Sequence, residues 1–175
     1  MRKADMGTLY VVATPIGNLQ DFTPRAVETL RSVQLIAAED TRHSGTLRRE
    51  FDIDTPMISY HHHNRQQREQ RLLDELETGD VALVSDAGTP AIADPGQEIV
   101  AAAHAAGHRV VPIPGASAAI AAVSASGLVT GPFVFLGFIE RKGEGRRVAL
   151  GKAQQTGWPI VFFESPQRLL ETLAE

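Results

Sequence analysis

An apolar run, Val81-Ala82-Leu83-Val84-Ser85, passes directly into Asp86-Ala87-Gly88-Thr89-Pro90-Ala91-Ile92-Ala93-Asp94-Pro95-Gly96 and then into a helix-forming segment from Gln97 to Ala106. That order constrains the fold more than any other feature of the chain. The run is almost entirely apolar instead of alternating, so it needs cover on both of its faces. The loop behind it is built from small residues that let a ligand approach the backbone, and its prolines stiffen it in advance. In α/β proteins a loop of this kind, at the carboxyl end of a core strand, is where ligands bind.

The same rhythm runs through most of the sequence. Thr8 to Thr14 is β-rich and apolar. Thr23 is placed to cap a helix with Pro24 at its first position, running to about Val33. Gln34 to Ala38 reads as a strand, Thr41 to Glu50 as a helix, and Pro56 to Tyr60 as a third strand. Asn64 with Gln67 resembles a capping box opening a polar helix to Glu77, ended by Gly79. Asp94 reads as the cap of the next helix, with Pro95 inside it, Gln97 at the capping-box position and Gly107 past its end. Arg109 to Ile113 is a further strand. Pro114-Gly115-Ala116-Ser117 is a second small-residue loop, opening an Ala-rich helix that stops at Gly127. The repetition predicts an α/β fold with a parallel, doubly covered sheet. Right-handed crossovers bring the loops after the strands to one edge. Three loops then share that edge: Pro15-Ile16-Gly17-Asn18, the Asp86 loop and the Pro114 loop.

After Gly127 the texture changes. Phe133 to Phe138 and Pro159 to Glu164 read as aromatic strands, and they hold five of the seven phenylalanines. Between them lie the basic stretch Arg141-Lys142-Gly143-Glu144-Gly145-Arg146-Arg147 and a helix to about Thr156; Ser165-Pro166 starts another helix. A boundary near 127–132 divides an N-terminal α/β domain over 1–128, carrying the cofactor loops, from the beginning of a second α/β domain over 129–175. Two strands and two helices are too little for a stable domain, so the chain is expected to be a fragment of a longer protein.

Composition removes several function classes. No apolar run is long enough to span a membrane, and Met1-Arg2-Lys3-Ala4-Asp5 has no apolar core behind it to make a signal peptide. The absence of cysteine excludes disulfides and thiolate metal sites and is compatible with the cytoplasm. A net charge of −4 gives no global basic field, so a nucleic-acid partner has to meet a local patch.

Each candidate site has a plainer rival. No Gly-x-Gly-x-x-Gly follows any strand, and Gly145 to Lys152 is one residue too long for a P-loop, with Ala153 in place of Ser or Thr. The Asp86 and Pro114 loops read as ligand-lining segments or as turns that only cap helices. His61-His62-His63 suggests a metal, but consecutive side chains of an extended segment face opposite ways, so no metal site is expected. Glu39-Asp40-Thr41-Arg42-His43 is either a general base beside a phosphate-binding arginine or a capped helix start in which Arg42 pairs with a carboxylate. The Arg141–Arg147 stretch is either a solvated loop or a nucleic-acid contact.

Several segments resemble one family in order and spacing: Leu9 to Asp21, Ala37 to Arg42, Ser85 to Pro90 with Asp94-Pro95-Gly96, Val111 to Gly115, Gly137-Phe138, and Phe163-Glu164-Ser165-Pro166 with Arg168. The family is the ribosomal RNA small-subunit methyltransferase I group, cytidine 2′-O-methyltransferases of the tetrapyrrole methylase superfamily. The resemblance covers essentially the whole chain. It departs at Glu140 and Ala116, where the family commonly has proline, and family members continue well past Glu175. It implies a two-domain methylase using S-adenosylmethionine in the cleft between domains. It also implies a homodimer acting in the cytoplasm on 16S rRNA of the small ribosomal subunit, with no metal and no membrane. It places the cofactor against Pro15, Gly17, Asp86, Ala87, Gly88, Pro114, Gly115, Ala116, Ser117, Ala118 and Phe138. Arg42, Arg141, Lys142, Arg146 and Arg147 are the candidates for contact with RNA.

The chemistry narrows the roles. Sulfonium charge disappears as the methyl group moves, so an anion clamped on sulfur favours the ground state and slows transfer. Small residues and carbonyls therefore belong around the sulfonium, with carboxylates further off. A ribose hydroxyl is a poor nucleophile until it loses its proton, and Asp21, Glu39, Asp40 and Glu164 are the candidate bases. A tetrapyrrole methylase and a non-catalytic RNA-binding module are the rival functions. The basic stretch and the helix carrying Arg65, Arg68 and Arg71 favour RNA.

Overall fold

The computed structural model describes residues 6–61 and 64–174. Two compact units divide the chain, Met1–Ser117 and Ala118–Glu175.

The first unit holds strands β1 (Thr8–Val12), β2 (Leu35–Ala38), β3 (Met57–Ser59), β4 (Val81–Val84) and β5 (Arg109–Ile113). They form one sheet in the order β3-β2-β4-β1-β5, with every pair parallel. Helices α1 (Pro24–Ser32), α2 (Thr41–Glu50), α3 (Arg65–Leu76) and α4 (Gln97–Ala106) connect the strands. Parallel strands need such crossovers, and the crossovers cover both faces. One face packs Phe22, Val27 and Leu30 around α1 and Leu47 of α2 onto Val12, Ile36, Val84 and Ile113. The other packs Leu72 and Leu76 of α3 and Ile99 and Ala103 of α4 onto Leu9, Leu35, Val81 and Leu83. Every residue of β2 and β4 is buried, as an apolar run in a doubly covered sheet requires.

This arrangement fixes where ligands fit. The chain leaves β1 and β2 over one face and β4 over the other. Strand β4 lies between β1 and β2. The connections therefore part on each side of β4, which opens a crevice at the carboxyl edge.

Local signals explain the helix starts, with two corrections. Thr23 caps α1 through its hydroxyl, which accepts the Ala26 amide at 3.1 Å, and Pro24 follows at the first position. Asp94, in contrast, does not cap α4. The cap position is Gly96, with φ of 137° and no side-chain bond. Ala91 and Ala93 are both left-handed, at φ of 64° and 63°, so the chain turns before the helix begins. The Gln97 side chain reaches back to the Ala91 carbonyl at 3.1 Å instead of forming a capping box. Asn64 precedes α3, but its carboxamide also faces backwards, accepting the His61 amide at 2.9 Å and donating to the Ser59 carbonyl at 3.1 Å. Gly107 ends α4 in the left-handed conformation, at φ of 85°.

The second unit contains α5 (Ala118–Ser126), β6 (Val134–Phe138), α6 (Glu144–Gln154), β7 (Ile160–Phe163) and α7 (Leu169–Leu173). Strands β6 and β7 pair in parallel, with Phe135 edge-on to Phe163 at 5.0 Å and Phe138 at 5.3 Å from the same ring. Helix α5 packs against β7, although the sequence changes texture only after Gly127. Helix α6 begins at Glu144, so Arg146 and Arg147 lie on a helix and not in a loop.

Candidate functional site

The loops after β1, β4 and β5 meet at the carboxyl edge of the first unit. Thr14 and Gly88 form an antiparallel bridge, with N–H to O distances of 2.8 and 3.1 Å in the two directions. Gly88 takes φ of 84°, a conformation that favours glycine, and a Cβ there would meet the Ile16 side chain at 3.4 Å. Gly115 sits so close to β1 that a Cβ on it would lie 2.8 Å from Ala13 Cβ. The Thr89 hydroxyl donates to the Ala116 carbonyl at 3.2 Å, tying the β4 loop to the β5 loop. Pro15, Asp86 to Gly88, Gly115 and Ala116 are thus brought into one assembly. Gly17 is exposed at its rim. Pro114 and Ser117 flank the Gly115-Ala116 pair. The edge carries glycine, alanine and proline, small or stiff residues that let a ligand come close to the backbone.

The loop after β2 adds an acidic flank. The Asp86 carboxylate accepts the Asp40 amide at 3.1 Å, and the Glu39 carboxylate accepts the Asp86 amide at 3.4 Å. Burial pushes the Glu39 carboxyl above its usual range, against the Asp86 amide bond and with help from the charges of Asp86 and Asp40. Asp94 lies in the same region. Burial raises its pKa to about 6, with the nearby charge of Glu39 adding to the shift and the Ser85 hydroxyl opposing it. Sequence reasoning gave Asp94 a capping role within the ligand-lining loop.

Asp40 behaves differently. It caps α2, accepting the Arg42 amide at 2.8 Å, and the Arg42 guanidinium grips the same carboxylate at 2.7 Å. These side-chain bonds hold its pKa down at about 2. The capped-helix reading of this segment therefore describes Asp40. The Arg42 side chain is nonetheless 90% exposed and open to a further anion. Asp21 is exposed on a short 3-10 turn, Leu19–Asp21, behind the Asn18 cap.

The second unit carries the remaining candidates. Glu164 accepts the Thr172 hydroxyl and the Ser165 amide, both at 2.7 Å, and pairs with Arg168. The Thr172 bond leads the causes that hold its pKa below the usual range. A carboxylate so engaged is an anchor for α7, and its lowered proton affinity is the reverse of what a general base needs. Arg146 is only 2% exposed and donates to the Arg141 carbonyl at 2.9 Å and the Thr172 carbonyl at 3.4 Å. It holds the unit together from within and presents no surface to RNA. Arg141, Lys142 and Arg147 are exposed, with Lys142 near Glu171 and Arg147 near Glu144. Ala118 opens α5, and Phe138 is 62% exposed at the end of β6.

Among the described residues no group of three His, Cys, Asp or Glu side chains is arranged to hold a metal. His62 and His63 of the histidine triplet lie outside the described residues. No helix among those described is long and apolar enough to cross a membrane. The bonds of Thr14 and Thr89 escaped sequence reasoning because a threonine at a strand end reads as β propensity and one in a small-residue loop reads as a turn residue. Only its position beside a proline-glycine loop gave any sign.

Known proteins resemble the chain along nearly its full length. A family model described as Tetrapyrrole (Corrin/Porphyrin) Methylases matches residues 8–175. A Synechocystis protein named ribosomal RNA small subunit methyltransferase I is 58% identical over 97% of this chain and 61% of its own length. A protein of the same name from Pseudomonas aeruginosa is 53% identical, over 97% of this chain and 60% of its own. The chain spans about three fifths of the length of these curated relatives. A crystal structure of diphthine synthase superposes with a TM-score of 0.68 at 17% identity, covering 91% of this chain and 65% of that one. The uroporphyrin-III-C-methyltransferase of Thermus thermophilus superposes with a TM-score of 0.58 at 22% identity, over 77% and 60%. Both structures share the fold.

Proposed function

The chain belongs to the tetrapyrrole (corrin/porphyrin) methylase family, and from that premise we propose that it carries the methyl-donor site of a ribosomal RNA methyltransferase. The donor is S-adenosylmethionine, and the acceptor is the 2′-hydroxyl of a cytidine in small-subunit rRNA. High identity to relatives named for small-subunit rRNA methylation supports the choice of acceptor over a tetrapyrrole. The carrying observation is the small-residue cradle in which Gly88 takes a left-handed conformation and Gly115 packs on Ala13 with no room for a Cβ.

S-adenosylmethionine, when bound, supplies an electrophilic methyl group on a sulfonium. The chain supplies position and a proton acceptor. Gly88 and the loops around it would hold the donor against backbone, without the grip of a full negative charge on its sulfonium. Holding the reacting atoms in line contributes about 7 to 11 kcal/mol in favourable cases. Glu39 lies at this edge and has a raised proton affinity, so Glu39 is the proposed base. The exposed Arg42, Arg141, Lys142 and Arg147 offer phosphate contacts.

The test is direct. The protein is incubated with methyl-labelled S-adenosylmethionine and either small ribosomal subunits or a porphyrinoid. Label in rRNA at a cytidine ribose is the expected result. Label in the porphyrinoid alone, or no binding of the donor, overturns the proposal. Glu39→Gln is expected to slow transfer by about 10²- to 10⁴-fold while leaving donor binding intact.

A further inference from the structure

Three loops leave the edge of the first unit, and two threonine hydroxyls bind them into one body. Thr14 is 1% exposed. Its hydroxyl stands 3.2 Å from the Ser85 carbonyl and 3.4 Å from the Gly88 carbonyl. A hydroxyl has one proton, so Thr14 shares it between two carbonyls of the β4 loop. Thr89 does the equivalent on the other side, donating to the Ala116 carbonyl of the β5 loop at 3.2 Å. The backbone bridge between Thr14 and Gly88 fixes how far apart the loops lie. It also holds the peptide groups on both sides of Gly88, and the Glu39 carboxylate holds the Asp86 amide. The hydroxyl of Thr14 adds a restraint on the Ser85 carbonyl from the β1 side.

We propose that Thr14 and Thr89 are positioning residues for the methyl donor, locking together the three loops that shape its cradle through the Ser85 and Ala116 carbonyls. This rests on the reading of these loops as the donor site. Neither threonine acts on the reacting atoms. Each holds its loops in place before the donor arrives, which lowers the cost of ordering them on binding.

Threonine and valine have nearly the same shape, so Thr14→Val and Thr89→Val remove a hydroxyl and little else. Thr14→Ser keeps the hydroxyl. Thr29→Val is the control, because the Thr29 hydroxyl donates to the Arg25 carbonyl at 2.8 Å within α1, away from the loops. S-adenosylmethionine binding is measured by calorimetry, and equilibrium unfolding is recorded on the same samples. Thr14→Val is expected to weaken binding about tenfold, the effect of one net hydrogen bond. Thr89→Val is expected to weaken it severalfold. Thr14→Ser restores most of the affinity, and Thr29→Val changes only stability. Donor binding unchanged in both loop variants overturns the assignment, as does an equal loss in Thr29→Val. Should Thr14→Val fail to fold, Thr89→Val and Thr14→Ser decide the matter by the same comparison. If the unaltered chain binds no donor, the donor site itself is overturned and this assignment with it.

Discussion

Glu39 and Asp86 hold each other's loops: the Glu39 carboxylate accepts the Asp86 amide, and the Asp86 carboxylate accepts the amide of Asp40, the residue after Glu39. Two strand ends are thus clasped by side chains of like charge. The arrangement works because each carboxylate faces a backbone donor and not the other carboxylate. It also loads the edge with negative charge in a half-buried place, and that charge has a pH signature.

Asp94 titrates near pH 6 in the folded chain against 3.8 for an ordinary aspartate, and Glu39 is shifted in the same direction. A raised carboxylate pKa means that the folded state holds its proton more tightly than the unfolded state. Between about pH 4 and pH 6 Asp94 therefore costs stability as pH rises, and its full cost remains above pH 6, while Glu39 acts in the same direction. Asp94→Asn is expected to stabilise the chain at pH 7 by about 1 kcal/mol, since partial exposure screens the rest of the shift. The gain should vanish below pH 4. Urea unfolding of both proteins at pH 4 and pH 7 reads the difference.

Gly115 faces Ala13 with no space for a methyl group. Gly115→Ala is expected to cost about 1 to 3 kcal/mol by overpacking. It should also loosen donor binding, because the β1 and β5 loops must separate. Ala13→Gly in the same chain removes the opposing methyl and is expected to recover most of both losses, as unfolding and calorimetry on the double variant would record.

Ala91 and Ala93 each sit in a conformation that costs an L-residue about 1 to 2 kcal/mol. Glycine takes that conformation freely but loses more entropy on folding. Ala91→Gly and Ala93→Gly are each expected to raise stability by about 0.5 kcal/mol, the small excess of the first effect over the second. Thermal melts of each single variant would detect the rise.

Arg146 and Arg147 are neighbours with opposite fates. Arg146→Ala leaves the Arg141 and Thr172 carbonyls without their donor, and is expected to cost about 1 to 3 kcal/mol. Arg141→Ala with Arg147→Ala should leave stability within about 0.5 kcal/mol. The double variant should instead weaken RNA binding and flatten its dependence on salt. Filter binding at several salt concentrations, beside unfolding curves, separates the two behaviours.

The alternation of strand, loop and helix was legible because its signals are local and redundant. Thr23-Pro24 opens a helix and Gly107 closes one, and the buried run at Val81 demands covered faces. Three features were not legible, each for a physical reason. Asp94 looks like a cap because aspartate before proline usually is one, and nothing in the sequence announces two alanines in a left-handed turn. Arg146 looks like surface charge because arginine is usually exposed, and only the fold supplies carbonyls to receive it. Glu164 and Asp40 look like bases until their partners are seen. Of the site itself, the loops could be read from the sequence, whereas the hydrogen bonds that aim them could not.

The sheet order β3-β2-β4-β1-β5 has one more consequence. Read from β5 towards β2, the rim passes from uncharged Gly115 and Thr14, through Asp86, to Glu39 and Asp40. Strand order is thereby translated into an uneven placing of acidic side chains along the rim. The order in which the strands are wired therefore decides on which side of the crevice the acids gather.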